Sequence, residues 1–302
     1  MTGAQRLKIG IGGWEHDILN EVFYPSPGLS AEEKLRWYAR FFDATEVRST
    51  FWDDSLTDDD ASRWTDAVAE NPGFIFSVKL HSSFTHRKTI RPQLVRQTRA
   101  ILQRIAATDH LGSLLLQFPY GFTNTSANRF HIVRLAELFR GFPLHVELRH
   151  ESWNFPGLLR FLSETGAAPV SGDLPRIRQL MPFFAGTSGD TAYIRLHGRN
   201  ERGWLLNGLD TRYDYLYNAR ELKEIRRRIE TVSPSCRRVF VLFNTTTGGK
   251  GAANALQLLS MTRDGRTVPV PRNLLRTFPV LQQIALDPSE EHLPFTHLRA
   301  AM

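Results

Sequence analysis

Short apolar runs bounded by turn-forming residues recur along the chain and predict eight β-strands. They span residues 7–12, 44–50, 74–80, 113–119, 144–150, 167–173, 191–198 and 238–244. Most of the intervals carry apolar residues at helical spacing, as in 31–42, 91–106 and 219–232. Eight strands that alternate with helices predict a TIM (β/α)₈ barrel, for which about 250 residues is typical. A doubly wound open sheet is the alternative, but "GIGGWEHD" after the first strand lacks the glycine spacing of a dinucleotide-binding turn.

The barrel is predicted to occupy residues 1–262 as a single domain, followed by a short C-terminal extension at 263–302. "RDGRTVPVPRN" is typical of a connector, and "LLRTFPVLQQIAL" predicts a short helix interrupted at Pro279. The last segment, "DPSEEHLPFTHLRAAM", is expected to be a partly ordered tail.

Polar residues gather where the predicted strands end. Because residues two apart share one face of a strand, these polar residues fall into same-face sets. The sets are Glu46 with Arg48, Ser77 with Lys79, Glu147 with Arg149, Ser171 with Asp173, Arg195 with His197, and single residues Gln117 and Asn244 on the fourth and eighth strands. The opposite faces are mostly apolar, for example Val146, Val170 and Ile194. We therefore expect the apolar faces to pack against the helices and the polar sets to point into the barrel.

Charged side chains inside a barrel have to be paired, and their desolvation makes them poor stabilisers. TIM-barrel enzymes place their sites at the C-terminal face of the barrel, so polar strand ends predict a site there. A closed internal ion-pair network without any open pocket is the alternative interpretation.

The residue types at the strand ends suggest two roles. The acid–base candidates are Glu46, Glu147, Asp173 and His197, because a carboxylate held ionised by a cation and a neutral imidazole both accept protons. Lys79, Arg149, Arg195 and Arg199 are the candidates to hold an anion. No metal site is predicted, because each candidate ligand lies beside an inward Arg or Lys. No cofactor can be named from the sequence.

A glycine-rich turn, "NTTTGGKGAANA" at 244–255, follows the eighth strand and leads into a helix that begins near Ala252. Loops at this position of a TIM barrel commonly bind phosphate through free backbone N–H groups. Lys250 is therefore a further candidate ligand-binding residue. The turn lacks the spacing of a P-loop, and a flexible helix entry is the simpler alternative.

Composition adds a mild bias towards anionic partners. The net charge is +7, and six basic residues with no acid lie between 80 and 108, after a cluster of Asp residues at 53–60. The basic run indicates either a solvated helix face or a nucleic-acid footprint, although no aromatic residues alternate with it to stack bases.

The single Cys236 is expected to be a packing residue. No apolar run is long enough for a membrane span and no signal peptide is recognisable, so a cytoplasmic location without membrane association is expected.

Several motifs occur in an order that resembles the YecE-like family, a domain of unknown function (DUF72). They are "IGIGGW", "FYPSP", "FDATEVRSTFW", "FSVKLHSSFTH", "LGSLLLQFP", "VELRHESW", "GDLP", "YIRLHGR" and "FNTTTGGKGAANA", over residues 7–262. The resemblance implies a TIM barrel and no established reaction. The residues that it places on the family's motif positions are Trp14, Glu46, Lys79, Gln117, Glu147, Arg149, His150, Asp173, Arg195, His197, Gly198, Arg199 and Asn244. Arg48 and Thr245 stand where the family motifs usually have Asn.

Together these patterns predict a polar, cation-rich pocket for a small anionic or phosphorylated ligand. The expected ligand-binding residues are Trp14, Arg48, Lys79, Gln117, Arg149, Arg195, Arg199, Asn244 and Lys250. Hydrolysis, isomerisation or lyase chemistry would suit such a pocket, but whether the protein is an enzyme stays open. A nucleic-acid-associated protein or nuclease, and a non-catalytic scaffold, are the alternatives.

Overall fold

Eight parallel strands close into a barrel in the computed structural model, which describes residues 7–206, 209–232, 234 and 236–286. The strands are β1 Leu7–Ile11, β2 Ala44–Val47, β3 Ile75–Lys79, β4 Leu111–Gln117, β5 Leu144–Glu147, β6 Ala167–Asp173, β7 Thr191–Leu196 and β8 Arg238–Phe243. Each strand pairs with the next one along the chain, and β8 returns to pair with β1. The predicted TIM barrel is therefore confirmed.

Helices connect the strands and form the outer layer. They are α1 Asp17–Val22, α2 Ala31–Tyr38, α3 Asp58–Ala67, α4 Ser82–Thr85, α5 Pro92–Ala106, α6 Ser126–Leu138, α7 Leu158–Glu164, α8 Glu201–Leu205, α9 Leu209–Arg212, α10 Ala219–Val232, α11 Lys250–Thr262 and α12 Arg272–Thr277. Short 3₁₀ turns lie at Ser49–Phe51, Glu151–Trp153, Thr247–Gly249 and Pro279–Gln283. No described helix is long and apolar enough to cross a membrane.

Helix starts follow local sequence signals. Ser30 caps α2 by accepting from the Glu33 amide at 3.2 Å, and the Glu33 carboxylate accepts from the Ser30 amide at 2.8 Å. Pro92 occupies the first turn of α5, where its missing N–H costs nothing. Three aspartates in the first turn of α3 favour the positive end of the helix dipole. The predicted helices at 91–106 and 219–232 are found almost unchanged, as α5 and α10.

Two apolar cores hold the barrel together. The larger core lies between the strands and the helices and includes Ile9, Val146 and Ile194. The smaller core fills the barrel itself, and its members are Ala44, Ile75, Leu115, Val170, Tyr193, Phe240 and Leu242. Since side chains alternate along a strand, these inward residues fix which later residues of each strand also point inward.

Tyr38 bridges β1 and β2 at a point where their ladder is short. Its hydroxyl accepts from the Ile11 amide at 2.8 Å and donates to the Ala44 carbonyl at 2.8 Å. Tyr38 is fully buried. Both backbone groups therefore depend on this hydroxyl and not on each other.

Replacing Tyr38 by phenylalanine is expected to lower the free energy of unfolding by about 1–3 kcal/mol, because it leaves two buried backbone groups without a partner. Urea denaturation followed by circular dichroism measures the change. Tyr120→Phe is the matched control, since the hydroxyl of that exposed tyrosine bonds Gln179 at the surface. An equal loss in both variants would contradict the bridging role.

The segment after α11 packs onto the barrel. Val268, Val270, Leu274 and Leu281 are buried, and the Asn273 side chain donates to the Tyr24 carbonyl at 2.6 Å. The predicted short helix and its interruption at Pro279 are found as α12 and the 3₁₀ turn. The division of the chain at residue 262 stays a prediction, and the predicted tail, residues 287–302, lies outside the described residues.

Candidate functional site

Arg195 on β7 is the centre of a charged cluster at the C-terminal end of the barrel. Its Nη2 lies 2.8 Å from Glu46 Oε2 on β2, and its Nη1 donates to Glu147 Oε2 on β5. All three side chains are almost completely buried. One guanidinium therefore joins carboxylates from two non-adjacent strands across the barrel interior.

Glu147 has two further neighbours besides Arg195. Arg149 Nε donates to Glu147 Oε1 at 2.9 Å. His197 Nε2 lies 3.1 Å from the same oxygen, without the alignment of a good hydrogen bond. Burial would raise the pKa of Glu147, but Arg195, His197 and Arg149 lower it well below its ordinary value. Glu147 is thus a carboxylate at neutral pH.

Glu46 and His197 complete the central proton-accepting groups. Burial would raise the pKa of Glu46, but Arg195, Lys79 and Arg48 lower it. Burial lowers the pKa of His197 to about 4, although Glu147 opposes this effect. His197 Nδ1 lies 3.2 Å from the amide nitrogen of Asn244. The neutral tautomer that carries its proton on Nε2 suits both neighbours. In this tautomer the protonated Nε2 faces the Glu147 carboxylate, and the unprotonated Nδ1 can accept from the Asn244 amide.

Arg48, directly after β2, has neutral partners. Its Nη1 lies 3.2 Å from the Gly12 carbonyl oxygen and 2.9 Å from His16 Nε2. Burial and then the charge of Arg48 lower the pKa of His16 to about 4, so the imidazole is neutral at pH 7. In the part of the chain that the structure describes, no carboxylate oxygen lies within 4.0 Å of the Arg48 guanidinium.

Lys79, the last residue of β3, is 8% exposed. Its Nζ lies 3.8 Å from the centre of the Phe51 ring, and no carboxylate of the described residues lies within 4.0 Å of it. Burial lowers the pKa of Lys79 to about 7; Glu46 opposes this, whereas Arg195, Arg48 and Arg149 add to it. His86 packs its edge against Phe51 at 4.9 Å between ring centres, beside this amine.

We define the barrel mouth by these seven charged or titratable residues: Glu46, Arg48, Lys79, Glu147, Arg149, Arg195 and His197. Gln117 and Asn244, also predicted from the sequence, lie buried on β4 and after β8. Gln117 donates to the Phe118 carbonyl at 2.7 Å, and Asn244 contacts His197. The strand ends thus bring nine of the predicted site residues to the interior end of the barrel.

Asp173 does not lie in the barrel mouth, so the expectation that it points inward is wrong. Val170 belongs to the interior core, and a Cβ added at Gly172 would lie 3.8 Å from the His197 ring. The odd-numbered residues of β6, including Asp173, therefore face the helices. The Asp173 carboxylate accepts from Arg199 through two nitrogens at 2.9 Å, from Arg228 of α10 at 2.8 Å and from the Tyr217 hydroxyl at 2.9 Å.

Arg199 and Lys250, both expected to hold an anion, already bind carboxylates. Arg199 also donates to Glu224 at 3.0 Å, and Lys250 pairs with Asp214. In the glycine-rich turn, Gly249 and Gly251 donate their backbone N–H groups to the carbonyls of Thr246 and Thr245 at 3.2 and 2.7 Å. These amides are therefore engaged within the turn.

Trp14 and His150 have structural partners. Trp14 packs edge-on against Trp64 and Phe76 in the outer core, and its Nε1 donates to the Ala31 carbonyl at 3.2 Å. His150 Nδ1 accepts from the Ser152 amide at 3.1 Å and so caps the 3₁₀ turn after β5. Within the described ranges, no three side chains of His, Cys, Asp or Glu converge to hold a metal ion.

Sequence reasoning missed several neighbours of the site. The Tyr193 hydroxyl donates to Glu46 Oε2 at 3.3 Å, and its position two residues before Arg195 on the same strand face could have revealed it. Arg149 Nη1 lies 3.4 Å from the hydroxyl of Tyr213, which belongs to the long connection after β7. The Arg149 Cζ lies 5.7 Å from the centre of the Trp204 ring. No local pattern marks Tyr213, Trp204, His16 or Phe51.

The basic run lies on and before α5, where several of its members have partners. Arg91 pairs with Asp54, Arg104 Nε donates to Ser62 Oγ at 2.6 Å, and Arg99 donates to the Leu138 carbonyl at 2.8 Å. Arg96 is exposed. The nearby acidic cluster thus neutralises part of the run, which leaves less positive charge for a nucleic acid.

Comparisons with known proteins agree on one family. A family model described as a protein of unknown function, DUF72, matches residues 8–275. The UPF0759 protein YunF of Bacillus subtilis (strain 168) is 27% identical over 286 residues, which cover 89% of this chain and 99% of that protein.

Solved structures give the same result. The crystal structure of a DUF72 family protein from Thermotoga maritima MSB8 is similar with a TM-score of 0.75 and 28% identity, covering 85% of this chain and 99% of that one. A DUF72 family protein from Enterococcus faecalis V583 has a TM-score of 0.73 and 26% identity, covering 85% of this chain and 95% of that one.

Proposed function

The chain belongs to the DUF72 family of proteins of unknown function, and we propose from its own geometry that the barrel mouth binds a small anionic ligand. The charge balance of the mouth is the observation that carries the proposal. Four basic side chains, the buried Lys79, Arg149 and Arg195 and the half-buried Arg48, accompany only the carboxylates Glu46 and Glu147. Buried charges are normally paired, so the surplus positive charge calls for an anion from outside the chain.

Arg48 and the protonated form of Lys79 carry this surplus. Glu46 and Glu147 form their ion pairs with Arg195 and Arg149. In contrast, Arg48 contacts a carbonyl and a neutral imidazole, and Lys79 contacts an aromatic ring. A purely structural network would be expected to be neutral, because each unpaired buried charge costs several kcal/mol. A carboxylate or phosphate of the ligand would supply the missing partner, and an arginine fork suits either group.

The protonation states favour chemistry that removes a proton from the ligand. At neutral pH Glu46 and Glu147 are ionised and His197 is neutral, so all three accept protons and none of them can donate as an acid. Many isomerisation and lyase reactions begin with such a step. We therefore propose an isomerase or lyase acting on an anionic small molecule.

Inorganic phosphate is the simplest probe of the anion site. It is expected to raise the melting temperature of the full chain above that in sodium chloride of equal ionic strength, because a ligand bound only by the folded state stabilises it. At a phosphate concentration of 100 times Kd the gain would be about 2.7 kcal/mol. Differential scanning calorimetry at pH 7.5 measures the shift.

Two variants locate the effect. Arg48→Met should abolish the phosphate shift, while Arg96→Met on the exposed face of α5 should leave it unchanged. A phosphate shift that is absent from the native chain, or that survives in Arg48→Met, would refute the anion site. Stabilisation by a short oligonucleotide that disappears in Arg96→Met would favour the nucleic-acid alternative instead.

A further inference from the structure

We propose that Lys79 is the nucleophile of the barrel mouth and forms a covalent imine with an aldehyde or ketone that carries a carboxylate or a phosphate. This inference rests on the anion-binding function proposed above and names its substrate class. It also gives Lys79 a chemical role in place of the purely electrostatic one expected from the sequence.

The position of the amine is the first support. Lys79 ends β3 on the strand face that Ile75 places inside the barrel, so its side chain reaches the mouth from the interior wall. The chain has six lysines, all within the described part, and Lys79 is the one that is buried. The others have contacts outside the mouth or are exposed, as with Lys250 beside Asp214 and Lys223 on α10.

The surroundings of the amine are the second support. The face of Phe51 covers Nζ at 3.8 Å, and the guanidinium groups of Arg48, Arg149 and Arg195 act on it electrostatically without a carboxylate in direct contact. A lysine desolvated against apolar surface and placed near other cations is the arrangement that activates amines towards carbonyl compounds.

Protonation is the third support. An amine attacks a carbonyl carbon only in its neutral form. With its pKa lowered to about 7, Lys79 is roughly half neutral at pH 7, a fraction roughly a thousandfold above that of an ordinary lysine. Most basic residues of the chain are arginines. If position 79 needed only a positive charge, an arginine would supply it.

The reaction balances without an oxidant or a further reactant. The Nζ lone pair forms a bond to the carbonyl carbon as the C=O π bond breaks, and one amine proton passes to the former carbonyl oxygen, which gives a carbinolamine. The hydroxyl then leaves as water with the second amine proton, while the nitrogen lone pair forms the C=N bond. Arg48 and Arg149 would hold the anionic group, and protonation of the imine from solvent would prepare the neighbouring C–H for removal by a base of the mouth.

Pyridoxal 5′-phosphate is the probe, because it joins an aldehyde to a phosphate. The full chain is incubated with it at pH 7.5 and treated with sodium borohydride, whose hydride reduces the imine to a stable secondary amine. Peptide mass spectrometry is expected to find one fast-reacting site, Lys79, with half-maximal labelling rate near pH 7. Inorganic phosphate should slow this labelling, and pyridoxal without its phosphate should react more slowly.

Lys79→Arg cannot form an imine, so it should lose the fast label. Lys223→Arg is the matched surface control and should label normally. If phosphate stabilises the native chain but Lys79 labels no faster than Lys223, the imine proposal falls and the anion site stands. If Lys79 labels fast with pyridoxal and with its phosphate alike, and phosphate neither protects nor stabilises, the anionic substrate class is refuted.

Discussion

Replacing Arg195 by methionine is expected to lower the free energy of unfolding by roughly 3–5 kcal/mol at pH 7.5, the usual cost of breaking a buried ion pair from one side. Methionine is apolar and of similar length, so the change removes the charge while filling most of the space. Glu46 and Glu147 would then remain buried together, and Glu46 would keep the Tyr193 hydroxyl as a donor and the charges of Lys79 and Arg48 nearby. Urea denaturation followed by circular dichroism measures the loss.

The pH dependence sharpens this test. In the native chain the pKa of Glu147 lies well below its ordinary value, so its ionised form contributes stability above about pH 4.5 that is lost as the pH falls. In Arg195→Met, burial without the guanidinium raises the pKa of at least one carboxyl, so the folded state takes up a proton more readily than the unfolded state. The difference in free energy of unfolding between the native chain and Arg195→Met should therefore become smaller as the pH falls from 7.5 to 5.

Arg160→Met is the matched control, because that arginine forms an exposed i,i+4 pair with Glu164 and should change stability by less than about 0.5 kcal/mol. A loss in Arg195→Met as small as in this control would mean that the carboxylates of the mouth are solvated, and the surplus-charge argument for an anionic ligand would fail with it.

The alternation of polar and apolar residues predicted the inward face correctly on β2, β3, β5 and β7. On these strands charged residues share one face and branched apolar residues the other, as with Glu147 and Arg149 opposite Val146. On β6 the same rule failed, because Ala168, Val170 and Gly172 are small or apolar and Asp173 is charged. Period-two alternation separates two faces but does not identify which one is inside.

The physical reason for the failure on β6 lies far away in the sequence. An acid on the outer face of a strand is stable only if cations from the helix layer reach it, and Arg228 of α10 and Arg199 do so. The protonation state of Lys79 could not be predicted from the sequence either, because it depends on burial against Phe51 and on three arginines on β7 and just after β2 and β5. Strand pairing brings these groups together, and no single segment contains them.

Asp173→Asn tests the corrected assignment and is expected to lower the free energy of unfolding by about 2–3 kcal/mol. The amide keeps the size of the side chain but loses the charge that three donor residues share, and hydrogen bonds to charged groups are worth about 1.5–3 kcal/mol. Arg199 and Arg228 are 18% and 25% exposed, so water can partly compensate them. Urea denaturation gives the stability, with Asp190→Asn as the matched control because Asp190 forms an exposed pair with Arg237.

The same variant should leave the chemistry of the mouth intact. Asp173 faces the helix layer, so the phosphate-induced rise in melting temperature and the labelling rate of Lys79 should match those of the native chain. Arg48→Met should give the opposite pattern, with phosphate binding lost and folding stability largely kept, since it removes an unpaired charge. If Asp173→Asn abolished phosphate binding at full stability, Asp173 would belong to the ligand site after all and the orientation of β6 would have to be revised.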